Sequence, residues 1–258
     1  MAVIYRRSIQ GVHYEVRTAG QSIRLYTNGA FHSQYNPRHL FTGAVWDLLI
    51  LPALFKTAPP RRVLVLGVGG GTVIHQLNRL YEPERITGIE LEPQHLKIAR
   101  RFFKVRYSNT TLVQADALDW LQAGSDQFDY IIDDVFQHAE GDPVRPFPAD
   151  NSGYRMLRRR LAAGGVIVQN HIGRREAMAQ RQHLPRETRI IGFETAQYEN
   201  CVLGIYDASQ TTRQLLELGK HNIAGLEKQQ HRRLRVNYWQ VSGQGERLAS
   251  GSPPAGEP

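Results

Sequence analysis

The chain of 258 residues has a single cysteine, Cys201, which excludes an internal disulfide and any cysteine-cluster zinc site. It also lacks an apolar run of the roughly 20 residues a membrane-crossing helix needs. The nearest candidate, residues 45–55, is short and carries Asp47, so it reads as a core helix. Ten histidines are scattered without an H-E-x-x-H or similar spacing, and no protein-held metal is expected. The first residues show no basic start followed by an apolar stretch, so the expectation is a soluble, cytoplasmic protein without a membrane partner. No internal repeat is visible.

What remains is the composition of a globular protein, 41% hydrophobic and 22% charged, long enough for one main domain and a small appendage. The net charge of +8 rests mostly on arginine, clustered at residues 155–160, 174–175 and 232–235. It reads as a solvated basic face, with an anionic partner on that surface as the alternative.

Three stretches near 3–7, 13–17 and 23–27 alternate polar and apolar positions between Gly11, Gly20 and the Asn28-Gly29 pair, which predicts a small antiparallel sheet over 1–37. A dimer through its open edge is one expectation. Residues 39–55 have helical spacing and end before Pro59-Pro60, giving a linking helix within 38–60. From 61 to 241 strands alternate with helices, the sign of a parallel α/β sheet. The predicted strands are 63–67, 86–90, 111–114, 130–133 and 166–170, with helices at 72–81, 93–103, 117–122 and 153–161 between them. Residues 189–193 and 202–206 read as an antiparallel edge pair, and 211–234 as a final helix. The Gly-, Ser- and Pro-rich residues 242–258 read as a disordered tail.

Val63-Leu64-Val65-Leu66 run straight into Gly67, glycine recurs at Gly69, Gly70 and Gly71, and a helix begins near Thr72. Such a turn at a strand's carboxyl end suits a nucleotide or nucleoside. A dinucleotide fingerprint needs glycine where Thr72 stands, which disfavours that ligand. Glu90, about twenty residues on and closing the second strand, suits the two ribose hydroxyls. Asp116 ends the third strand, where it can meet an adenine amino group, cap the next helix, or both. Asp133 and Asp134 end the fourth strand; alternation sends them to opposite sides, and Asp134 is the one expected to face the pocket as a base.

Residues 63–71, 86–93, 112–117, 128–134 and 164–170 together resemble the spermidine synthase-like branch of the class I S-adenosylmethionine-dependent methyltransferase superfamily, over residues 22–206. The Leu25-Tyr26-Thr27-Asn28-Gly29 run resembles that branch's N-terminal strand and turn. The resemblance implies a Rossmann-like doubly wound sheet with an antiparallel edge, preceded by a small β-sheet. It implies a transferase whose cofactor is S-adenosylmethionine or its decarboxylated form. By motif, Gly67, Gly69, Gly70, Gly71, Glu90, Asp116 and Ala117 line the cofactor, Asp134 is catalytic, and His32, Tyr35 and Gln137 border a small-molecule acceptor.

The chain departs from the aminopropyl-transferring members at several places, with His32 for a nucleoside-contacting glutamine and Asn36-Pro37 for an acidic pair among them. Gly70 stands where they carry an aspartate that holds the donor's free amine, and Gln137 where they carry a second aspartate. This shortage of negative charge favours methyl transfer from intact S-adenosylmethionine, with aminopropyl transfer as the alternative and a non-catalytic nucleoside-binding module as the second alternative.

Overall fold

The computed structural model describes residues 1–136, 145–146, 151–230 (of Asn151 only the backbone) and 234–241. Gln137 and the expected tail 242–258 lie outside the described residues.

The N-terminal sheet is a meander of β1 (Ala2–Ile9), β2 (Val12–Ala19), β3 (Ser22–Thr27) and β4 (Ala30–Tyr35) in chain order. Asn28 and Gly29 both have positive φ, 50° and 83°, the conformation a two-residue hairpin turn requires. The fourth strand was not among the three predicted. Its inward residue is Ser33, 1% exposed, so the apolar half of the alternation is missing from its sequence.

The linking helix is shorter than predicted. It comprises α1 (Val45–Ile50) and a 3₁₀ turn, Leu51–Phe55. Asp47 accepts hydrogen bonds from the backbone of Thr42 (2.9 Å) and Gly43 (2.7 Å), which keeps residues 42–44 out of the helix, and Pro52 disrupts the continuing α pattern.

The main domain contains β5 (Arg62–Leu66), α2 (Thr72–Leu80), β6 (Arg85–Glu90), α3 (Pro93–Arg101), β7 (Thr110–Gln114), α4 (Ala117–Ala123) and β8 (Phe128–Asp133). It continues through α5 (Asn151–Arg159), β9 (Leu161–His171), α6 (Gly173–Gln182), β10 (Arg189–Thr195), β11 (Tyr198–Tyr206), α7 (Thr212–Gln230) and β12 (Asn237–Gln240). Among the described residues these strands form one eight-stranded sheet, ordered β12-β10-β11-β9-β8-β5-β6-β7. The five strands from β9 to β7 are parallel and the other three antiparallel.

Two elements differ from expectation. Helix α6 was not predicted, because within it only Ala177 and Arg181 are buried and no apolar stripe marks it. Strand β12 pairs with β10, so the β10/β11 pair is antiparallel as expected but does not form the rim. Its four residues are too few to show a period.

Alternating side chains of β5 feed two cores: Val63 and Val65 pack on one face of the sheet, Leu64 and Leu66 on the other. Strand order reverses at β5, which neighbours both β6 and β8. The crevice outside the carboxyl ends of β5 and β8 is where such sheets bind ligands. The N-terminal sheet is pinned beside it. Thr72 Oγ1, at the start of α2, donates to the Gln34 carbonyl (2.9 Å) and accepts from the Gln34 amide (3.1 Å), while Gln94 Nε2 of α3 donates to Tyr5 Oη (2.7 Å). Among the described residues no helix is long and apolar enough to cross a membrane.

Candidate functional site

The glycine turn is built by its protein neighbours. Gly67 has φ +83°, and a Cβ there would collide with the Asp134 carbonyl. At Gly70 a Cβ would stand 2.8 Å from both Phe103 Cζ and Ser33 Cβ. Gly69 and Gly71 also have positive φ, 52° and 86°, which favours glycine whatever the surrounding space.

Every amide of the turn is used inside the protein. Gly67 N–H donates to the Ile89 carbonyl (2.9 Å) and Gly71 N–H to the Val68 carbonyl (2.8 Å). Val68 and Gly69 both donate to Glu90 Oε2, at 3.0 and 2.8 Å, and Gly70 donates to Ser33 Oγ at 2.7 Å. A phosphate bound at a glycine turn needs free amides and positive potential. Here the amides are taken and a carboxylate sits behind them, so the turn suits a neutral or cationic nucleoside.

Glu90 ends β6 and is 8% exposed. Its Oε1 accepts from the Glu92 amide at 2.9 Å and lies 3.5 Å from His95 Nδ1. Burial by itself would raise its carboxyl, but the hydrogen bond and charge of His95 and the backbone amides of Glu92 and Gly69 outweigh it and hold it below the ordinary value. Asp116 is the N-cap of α4, accepting from Leu118 N (2.8 Å) and Asp119 N (3.2 Å), and Ala117 follows it, buried. Ala115 N–H donates to the Glu90 carbonyl (3.2 Å), which sets this strand end beside Glu90.

Asp133 and Asp134 part as alternation requires. Asp133 is fully buried and accepts from Arg145 and from Gln169 Nε2 (3.1 Å). Asp134, partly buried, accepts from Asn170 Nδ2 at 2.7 Å. Burial pushes the Asp134 carboxyl up to about 7, and the charges of Asp133 and Glu90 add to the rise, against the Asn170 hydrogen bond and the charge of Arg145.

The acceptor-side residues separate. His32, on β4, lies against His95 with ring centroids 5.1 Å apart, near Glu90. Tyr35 instead stacks flat on His75 of α2 at 3.8 Å, and the His75 ring bonds Tyr107 Oη and the Phe103 carbonyl. Sequence reasoning missed Ser33, His95 and Asn170, each of which holds a predicted site residue. None of the three had a local cue, and Ser33 itself breaks the apolar alternation of its strand.

Sheet order, the glycine turn after β5 and the acidic strand ends of β6 and β8 are those of a class I methyltransferase-type fold. A family model described as a methyltransferase domain matches residues 63–165. Polyamine aminopropyltransferase 2 of Ralstonia nicotianae is 32% identical over 162 residues, covering 57% of this chain and 29% of that protein. The chain thus spans under a third of the length of the curated relative it matches. Among solved structures, a probable spermidine synthase from Corynebacterium glutamicum superposes with a TM-score of 0.69 at 18% identity, covering 100% of both chains. A spermidine synthase solved with the transition-state analogue AdoDATO gives a TM-score of 0.64 at 10% identity, covering 89% of this chain and 87% of the other. The chain has the spermidine synthase-like form of the class I S-adenosylmethionine-dependent methyltransferase fold.

Proposed function

We propose that the chain is a transferase that moves an alkyl group from an adenosyl sulfonium donor to a small amine, with aminopropyl transfer from decarboxylated S-adenosylmethionine as the first reading. The observation that carries the donor class is the saturated glycine turn backed by the Glu90 carboxylate, with no spare amide. Such a site repels phosphate and favours a cationic sulfonium. The relative's name, polyamine aminopropyltransferase, favours aminopropyl over methyl transfer, the reverse of the preference drawn from the sequence.

In this reading Gly67, Gly69 and Gly71 shape the wall under the nucleoside, Glu90 takes ribose hydroxyl, and Asp116 with Ala117 borders the adenine. The donor supplies a carbon made electrophilic by the adjacent sulfonium. The protein's part is to align the nucleophile and to manage one proton. An acceptor amine arrives protonated; with its carboxyl near neutrality Asp134 first takes that proton, and the freed nitrogen lone pair then bonds to carbon as the carbon–sulfur pair leaves on sulfur as a neutral thioether. Asn170 holds the receiving carboxylate in place.

Methyl transfer is the second reading, favoured by Gly70. Ser33 and Phe103 close the space an aspartate side chain would need there, so the donor amine lacks that partner. Chromatography of the nucleoside product decides. Incubated with decarboxylated S-adenosylmethionine and a pool of diamines, the protein should release 5′-methylthioadenosine. Release of S-adenosylhomocysteine from the intact donor, with none from the decarboxylated one, establishes methyl transfer instead. Binding of either donor without product from any acceptor pool identifies a non-catalytic module.

A further inference from the structure

We infer that His95 is a binding residue of the nucleoside site, forming with Glu90 a donor–acceptor pair for a single ribose hydroxyl and held in place by Thr27 of the N-terminal sheet. This rests on the proposed reading of Glu90 as the ribose residue.

A carboxylate offers roughly four acceptor positions. At Glu90 the amides of Val68, Gly69 and Glu92 take three of them, all within 3.0 Å. These bonds fix the plane of the carboxylate. The remaining position, on Oε1, faces His95 Nδ1 across 3.5 Å, a separation at the limit of a direct hydrogen bond. A hydroxyl oxygen can sit about 2.8 Å from both atoms at once.

The proton arrangement follows from the partners. Glu90, its carboxyl held below the ordinary value, is ionised at neutral pH and can only accept, so the His95 proton belongs on Nδ1. On the far side of the ring Nε2 lies within hydrogen-bond distance of Thr27 Oγ1, 2.8 Å away. Thr27 and His95 are 2% and 7% exposed, so water does not compete for this bond. The Tyr14 and His95 rings meet edge to face with centroids 5.9 Å apart, which further fixes the imidazole. A ribose hydroxyl entering at this point would donate to Glu90 Oε1 and accept from His95 Nδ1–H. One such position serves one hydroxyl, where Glu90 on its own was expected to serve both.

The test is calorimetry with 5′-methylthioadenosine and its 2′-deoxy and 3′-deoxy forms, on the wild type, His95→Leu, His95→Asn and Glu90→Gln. Wild type should bind one deoxy form about 3- to 10-fold more weakly than the parent and the other nearly as well, the span of one net hydrogen bond. His95→Leu should lose a similar factor on the parent and erase that discrimination, and His95→Asn, whose amide N–H stands near Nδ1, should restore most of both. Wild-type affinity that ignores both hydroxyls, or depends equally on both, overturns the inference. So does a His95→Leu loss that is the same for all three nucleosides, the mark of a structural role. Unchanged binding in His95→Leu beside weakened binding in Glu90→Gln overturns the His95 role alone, whereas unchanged binding in Glu90→Gln overturns the ribose assignment itself.

Discussion

The Gly70 amide donates to Ser33 Oγ across 2.7 Å, joining the glycine turn to the inward face of the N-terminal sheet. Position 70 leaves no room for a side chain, since a Cβ would press on both Ser33 and Phe103.

Gly70→Asp is therefore expected to destabilise the protein and not to improve binding of an amine-bearing donor. Overpacking of this kind costs about 1–3 kcal/mol, and in a chain of this size each kcal/mol lowers the thermal midpoint by about 2–4 °C. Calorimetric melting and a titration with decarboxylated S-adenosylmethionine check both statements. Unchanged melting together with tighter binding would show that the position faces the donor.

Asp134 sets a pH dependence with two signs. Its carboxyl is raised to about 7, so as a base it should make kcat/KM climb as pH rises through that value, and Asp134→Asn should remove the climb along with about 10²- to 10⁴-fold of the rate. Stability runs the other way. Between the ordinary carboxylate value and about 7 the folded chain holds more protons than the unfolded one, so this group lowers stability as pH rises through that window. Asp134→Asn should accordingly melt higher than the wild type at pH 8 and close to it at pH 4.

Glu90 is a structural tie as well as a ligand candidate. Glu90→Ala leaves the amides of Val68, Gly69 and Glu92 without their acceptor, at about 1–3 kcal/mol for each buried donor that finds no new partner. The milder Glu90→Gln keeps a carbonyl that can accept. Because the Glu90 carboxyl is lowered in the folded state, its contribution is present above the ordinary carboxylate value and is lost as pH falls through the folded one. Urea unfolding should therefore show wild type and Glu90→Gln converging as pH drops below about 4.

Cys201 is buried, and burial pushes its thiol up to about 12. The native protein should not react with a thiol-specific disulfide reagent at pH 8, while the unfolded chain should show one reactive thiol. A fast stoichiometric reaction of the native protein would contradict the packing of β11 against β9.

The parts legible in the sequence are those carried by local pattern. A buried parallel strand is continuously apolar, so Val63 to Leu66 declared β5, and the glycines after it declared a turn that other residues cannot adopt. Acidic residues at strand ends gave Glu90, Asp116 and Asp134, and pleat alternation alone separated Asp133 from Asp134. Strand β4 and helix α6 escaped because their buried positions hold Ser33, Ala177 and Arg181, which break the apolar period on which such reading depends.

Tertiary structure alone decided where the hydrogen bonds go. The sequence shows that 67–71 is a glycine turn, but only the fold shows what the missing side chains make room for: the Asp134 carbonyl at Gly67, Ser33 and Phe103 at Gly70, and amide bonds to Glu90 and Ser33. Likewise Tyr35 stacks on His75, Asn170 comes to Asp134 from β9, and His95 turns back to Glu90 from the start of α3. Local propensity fixes which backbone a segment adopts, but a buried polar group takes its partner from whatever the packed elements bring within 3 Å or so, and no periodicity along the chain records that meeting.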